Sequence, residues 1–145
     1  MRKDFFMIYE SYSKTETEKI GKELAKNSKP GDIYCLVGNL GAGKTVFAGG
    51  FAKGLGLDID ISSPTFTILN EYHGGKLCLY HFDLYRINDQ SELYGIGYEE
   101  YFYGDGVSLV EWPKIAENLI PDNATFIIFE ADFEQNPNFR RITIN

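Results

Sequence analysis

The run Gly38-Asn39-Leu40-Gly41-Ala42-Gly43-Lys44-Thr45 places glycines, a lysine and a hydroxyl at the spacing G-x-x-x-x-G-K-[ST]. Each residue type has a reason to be there. Glycines let the backbone curl so that successive N–H groups point inward at phosphate oxygens. The following helix adds its positive dipole end and its free N–H groups. Lys44 brings a mobile cation to the β- and γ-phosphates. Thr45 offers a hydroxyl to Mg2+, which keeps several waters and takes few protein ligands. The expected nucleotide contacts run through Gly41, Ala42, Gly43, Lys44, Thr45 and Val46.

A loop of this kind needs a carboxylate near the metal. Asp83 follows Leu79-Tyr80-His81-Phe82, and Glu111 follows the fully apolar end of Val107-Ser108-Leu109-Val110. An acid at the carboxyl end of a buried strand lies on the edge where α/β sheets bind ligands. There it can hold Mg2+ or its waters, or orient an attacking water. Ser63 and Thr65, after the loop helix, are candidates for sensing a γ-phosphate by hydroxyl, with plain turn chemistry as the alternative. His81 either orients Asp83 or packs, and His73 reads as a turn residue. Trp112 reads as a core residue more than as a platform for a base. The two histidines give no metal-ligand spacing.

These residues require an ordered set of elements. Asp32 to Val37 is a short apolar run that reads as a buried strand. Phe47, Ala48, Phe51, Ala52 and Leu55 recur at helical spacing after the loop, with Gly54 and Gly56 as stop signals. Upstream, Phe5 to Glu10 is a strand candidate. Ser13 and Glu16 fit a capping box for a helix to about Lys26, in which Gly21 permits close packing. Downstream, Thr65 to Leu69 begins a strand. His73-Gly74-Gly75-Lys76 turns it into Leu77–Asp83 as an antiparallel hairpin. Two short helices are expected within Arg86–Tyr103, a buried strand over Val107–Trp112 and a short helix opened by Pro113. Ala124–Glu130 and Arg140–Ile144 complete the strands. The expected fold is α/β, a single three-layer P-loop NTPase-like domain spanning residues 1–145. Its mixed sheet is mainly parallel around the nucleotide, with antiparallel additions towards one side.

Composition narrows the function. A net charge of −7 argues against nucleic-acid binding through the chain's own surface. Cys35 and Cys78 sit in apolar runs and read as small core residues of a reducing compartment. No apolar stretch suggests a signal peptide or membrane span, so a cytoplasmic location is expected.

Gly38–Thr45, Ser63-Pro64-Thr65-Phe66-Thr67, Tyr80-His81-Phe82-Asp83-Leu84-Tyr85-Arg86 and Val110-Glu111-Trp112-Pro113 stand together in one order. In this the chain resembles the TsaE (YjeE) family, bacterial ATPases of threonylcarbamoyladenosine biosynthesis in tRNA, from about Ser13 onward. The resemblance implies binding of ATP/ADP and Mg2+, slow hydrolysis, and work with TsaB and TsaD, which transfer a threonylcarbamoyl group to adenosine 37. Contact with tRNA would then be indirect. The resemblance also implies metal and catalytic roles for Thr45, Asp83 and Glu111, with Lys44 at the phosphates. It further implies nucleotide contacts at Ser11 and Arg140. Two departures stand out: Asn39 where the family usually has Asp, and Gly49 near a position often basic.

Two other readings compete. A small nucleotide or metabolite kinase closes an arginine-bearing lid. Here Arg2, Arg86, Arg140 and Arg141 do not cluster in an insertion. A nucleotide-gated binding module would not need turnover. A GTPase is disfavoured by the lack of an Asn-Lys-x-Asp run, so ATP is the expected nucleotide.

Overall fold

The structure is a computed structural model, and it describes residues 7–39, 41–61, 67–132, 134 and 136–145. Its strands are β1 (Met7–Ser11), β2 (Ile33–Val37), β3 (Leu69–Tyr72), β4 (Leu79–Asp83), β5 (Val107–Glu111), β6 (Thr125–Ala131) and β7 (Arg140–Ile144). They form one sheet in the order β1-β7-β6-β2-β5-β4-β3. The centre, β6-β2-β5-β4, is parallel. The β1, β7 and β3 pairings are antiparallel. Antiparallel strands thus lie at both edges of the parallel centre, where one side was expected. The reason is that β6 and β7 form a second hairpin beside β2, opposite the β3–β4 hairpin.

Both faces of the centre are covered, which is why β2 reads as an unbroken apolar run and every residue of β5, Ser108 and Glu111 included, is buried. Helices α1 (Lys14–Lys26) and α2 (Lys44–Gly54) pack over Tyr34, Leu36, Leu79, Val107, Leu109 and Ile127. On the other face, α3 (Ser91–Gly95), α4 (Tyr98–Phe102) and a 3₁₀ helix over Pro113–Leu119 cover Ile33, Cys35, Phe82 and Val110. These are the three layers expected from the sequence.

Helix α1 starts where its capping residues say it should. Ser13 Oγ accepts from Glu16 N at 3.1 Å, and Glu16 Oε1 accepts from the backbone N–H of Tyr12 at 2.7 Å. Such a cap contributes about 1 kcal/mol. The α1–α2 crossing is closer than side chains allow. A Cβ on Gly21 would run into the Phe47 carbonyl, and one on Gly50 into the Glu18 carbonyl. Glycine is therefore required on both helices, and the short crossing brings the first turn of α1 alongside the loop that starts α2.

Some expectations shift. The strand expected from Thr65 begins at Leu69; residues 65 and 66 lie outside the described set, and Thr67 and Ile68 form a bend. The strand expected from Leu77 begins at Leu79. Cys35 is fully buried, but Cys78 is only partly buried at the hairpin and is not a core residue. The helix opened by Pro113 is of the tighter 3₁₀ type.

Candidate functional site

The loop between β2 and α2 turns sharply. Ala42 N–H donates to the Asn39 carbonyl at 3.1 Å, and Gly41 and Gly43 adopt φ values of 81° and 100°. Only glycine enters that left-handed region without strain. A Cβ on Gly41 would meet nothing within 4 Å, so the loop is open on that side. Helix α2 starts at Lys44 with no side-chain cap on its first turn. The N–H groups of a first turn have no intrahelical acceptor, so those of Lys44, Thr45 and Val46 are suited to an anion.

Lys44 is 6% exposed, and its Nζ is buried without a hydrogen-bond acceptor among the described residues. The ammonium sits 3.8 Å from the centroid of the Trp112 ring. Burial pushes its pKa below the ordinary lysine value, while the charges of Glu111 and Asp83 pull it back up. An ammonium so placed gains from any anion brought to the loop.

The two carboxylates face it from neighbouring strands. Asp83 and Glu111 are register partners in the parallel β4–β5 pair. Register partners point to the same face, and His81, two residues before Asp83, shares it. His81 does not orient Asp83. Its Nε2 is bonded to Glu111 Oε2 at 2.5 Å, and both residues are buried. The imidazole fixes one carboxylate oxygen and leaves the other outside that bond. Asp83 is held instead by the backbone, its Oδ1 accepting from Tyr85 N at 3.1 Å.

These groups line a cavity of about 500 Å³ with Gly41, Gly43, Lys44, Thr45, Val46, Asp83, Glu111 and Arg140 in its wall. Arg140 comes from β7. Its Nη2 donates to the Gly41 carbonyl at 3.0 Å and its Nη1 to the carbonyls of Pro137 and Phe139. It thereby braces the loop. Ala42 is buried and packs in the core under the loop. Ser11, paired with Arg140 across β1–β7, is fully buried and does not line the cavity. Its hydroxyl bonds Thr17 Oγ1 at 2.8 Å and the Ser13 carbonyl. Ser63 and Thr65 lie outside the described residues; Thr67 and Ile68 just beyond them line the cavity.

Sequence reasoning missed Lys14, Thr17, Asn138 and, as a site residue, Trp112, all of which line the cavity. Thr17 had a signal. The buried face of α1 runs Thr17, Gly21, Ala25 at i, i+4 spacing, and following it one turn back from Gly21 reaches the site. Trp112 had none. It is the one non-glycine residue with positive φ among those described, at 57°, a conformation a bulky side chain holds at a cost of about 1–3 kcal/mol. That turn after β5 puts its ring over Lys44 and 5.0 Å from the ring of Tyr85.

Among the described residues no cluster of three or more His, Cys, Asp and Glu side chains is assembled to hold a metal ion by itself. Mg2+ does not need one: it binds through one or two carboxylates, waters and substrate phosphates. Thr45, Asp83 and Glu111 supply a donor set of that kind.

Residues 11–142 match the family model described as threonylcarbamoyl adenosine biosynthesis protein TsaE. The chain is 47% identical over 129 residues to the tRNA threonylcarbamoyladenosine biosynthesis protein TsaE of Bacillus subtilis, covering 88% of this chain and 80% of that one. It is 37% identical over 134 residues to the protein of that name in Treponema pallidum, covering 92% and 96%. A crystal structure of Bacillus subtilis YdiB superposes with a TM-score of 0.78 at 39% identity, over 97% of this chain and 84% of that one. The matched range runs from the end of β1 into β7 and so spans the loop and both carboxylate strands, and the chain belongs to the TsaE family.

Proposed function

We propose that the chain binds ATP with Mg2+ in the cavity below the loop and hydrolyses it slowly. In doing so it supports a TsaB–TsaD-like complex in threonylcarbamoylation of adenosine 37 of tRNA. The observation that carries the nucleotide reading is the Lys44 ammonium, buried without a hydrogen-bond acceptor among the described residues, beside an uncapped helix start and opposite two carboxylates. The names of the relatives support the pathway.

The roles divide by chemistry. Bound ATP would supply the phosphoryl group, and Mg2+ would supply positive charge beside it. Lys44 leaves the Trp112 ring for the phosphates, where it forms a charge-assisted bond. Thr45 and the carboxylates of Asp83 and Glu111 would hold the metal or its waters. Glu111, fixed at one oxygen by His81, uses the other to orient a water. Arg140 keeps the Gly41 carbonyl turned out of the way of phosphate oxygens. The rim residues Tyr85 and Arg86 face the partner complex, and an acidic chain reaches tRNA only through that complex. Among the described residues no helix is long and apolar enough to cross a membrane.

The test is reconstitution of the tRNA modification from the purified partner pair, tRNA and this chain. Native chain should restore repeated turnover, Lys44→Ala should fail with lost ATP affinity, and Glu111→Gln should bind ATP yet fail. Full modification with Glu111→Gln would leave a nucleotide-gated module whose hydrolysis is incidental.

A further inference from the structure

The β3–β4 hairpin, on the far end of β4 from Asp83, carries a second set of chemically competent side chains. His73 Nδ1 lies 2.9 Å from Cys78 Sγ. The other ring nitrogen, Nε2, lies 3.3 Å from Glu71 Oε1. Glu71 is anchored in turn, its Oε2 accepting from the Tyr101 hydroxyl of α4 at 3.0 Å. The order is Tyr101, Glu71, His73, Cys78. A carboxylate on Nε2 keeps the ring proton there and leaves the lone pair of Nδ1 facing the thiol. That is the arrangement of a nucleophile, its base and an orienting acid.

The hairpin brings these side chains together by geometry. Glu71 and Tyr80 are register partners, and Tyr72 pairs with Leu79, so His73 and Cys78 flank the turn. The groups facing the thiol and its base are Glu71, Tyr80 and Tyr101, with Asp105 next to Tyr80. His73 is exposed and Cys78 partly buried, so a reagent reaches the sulfur from solvent. Among the described residues, neither the cavity at the loop nor a second one lined by Leu36, Trp112, Pro113 and Ile120 includes these side chains in its wall. A thiol outside those cavities and open to solvent suits a small reagent that reacts by exchange.

We propose that Cys78 is a thiol-exchange site, with His73 as its base, that forms a mixed disulfide with low-molecular-weight disulfides. In the step, His73 Nδ1 takes the proton of Cys78 as Sγ bonds to one sulfur of the disulfide. The S–S bond breaks, and the second sulfur leaves as a thiolate that recovers the proton from His73. One thiol is consumed and one released, so no further oxidant is needed. The site is separate from the nucleotide reading and does not rest on it.

The test uses the full chain and 5,5′-dithiobis(2-nitrobenzoate), with glutathione disulfide and mass spectrometry as the second probe. Native chain should show one fast-reacting thiol, because Cys35 is fully buried. Cys78→Ser should remove that phase. A free thiol is only a few per cent ionised at neutral pH, so a base can speed it by little more than ten-fold. His73→Asn should therefore slow the reaction by about ten-fold at pH 7. The two rates should draw together as the buffer is made more alkaline, because hydroxide then does the work of the base. Both substituted residues lie outside the core, and matching thermal melts would show an intact fold. A fast phase that survives Cys78→Ser, or equal rates for native chain and His73→Asn at pH 7, overturns the proposal.

Discussion

The Nζ of Lys44 rests 3.8 Å from the centre of the Trp112 ring, with no hydrogen-bond acceptor among the described residues. A cation on an aromatic face is held by about 0.5–2 kcal/mol, less than a phosphate offers. Ligand should therefore draw the ammonium away. Trp112 is the sole tryptophan, so its emission reports that movement directly. Titration with Mg-ATP should change Trp112 fluorescence saturably, and Lys44→Met should abolish the change. Emission unaltered by ATP at concentrations that calorimetry shows to be saturating would mean that Lys44 never leaves the ring.

His81 and Glu111 form a buried pair, and removing one partner leaves the other exposed to a large desolvation penalty. His81→Phe should lower unfolding stability by about 3 kcal/mol in urea titrations. The double variant with Glu111→Gln should recover part of that loss, because no buried charge is then stranded. Purely additive losses would show that the pair is not coupled.

Two adjacent glycines of α2 should respond oppositely to alanine. A Cβ on Gly50 strikes the Glu18 backbone, whereas one on Gly49 meets nothing within 4 Å. Gly50→Ala should destabilise by about 1–3 kcal/mol, as overpacking does. Gly49→Ala should stabilise by about 0.5–1 kcal/mol through helix propensity. For a chain of this size each kcal/mol moves the melting temperature by about 2–4 °C. Calorimetric melts of the two variants shifting in the same direction would contradict the crossing geometry.

Alkaline stability depends on the buried β2 side chains. Burial pushes the Cys35 thiol up from 9.0 to about 12 and the Tyr34 hydroxyl up from 10.0 to about 12. Above pH 9 the unfolded thiol loses its proton while the folded one keeps it, so the folded state binds more protons. Stability is then fully present below pH 9 and falls as pH rises towards 12, by about 1.4 kcal/mol per pH unit for this thiol. Tyr34 adds to the slope above pH 10 in the same direction. Denaturant unfolding at pH 8 to 11 should show the decline beginning earlier in native chain than in Cys35→Ala. Identical pH slopes would refute the assignment to Cys35.

What could be read in the sequence was what local chemistry decides. The loop was legible because its flanks are a strand buried on both faces and a helix with a clear inner stripe. The capping box at Ser13, the glycine of the close crossing at Gly21 and the β3–β4 hairpin are likewise local signals. The partner of His81 was not legible, because it is set by β5 inserting between β2 and β4, thirty residues away. The placement of Ser11, expected at the nucleotide, and of Thr17, not singled out, was not legible for a related reason. Which of two hydroxyls meets the cavity depends on how β1 and α1 meet, and the structure puts Thr17 in front of Ser11. The apolar neighbours of Cys78 point to the core. A hairpin end exposes residues that composition alone would bury.

The bond from Arg140 to the Gly41 carbonyl spans ninety-nine positions of sequence. During translation, β2 and α2 emerge long before β5, β6 and β7, the strands that flank or brace them. The loop can be synthesised, and its helix can form, while its fastening is still inside the ribosome. Contacts so distant along the chain are made late because closing a long loop precedes any gain from them. The proposed nucleotide site is therefore braced only once β7 is in place, and a ribosome-bound fragment that carries the whole loop sequence lacks that brace.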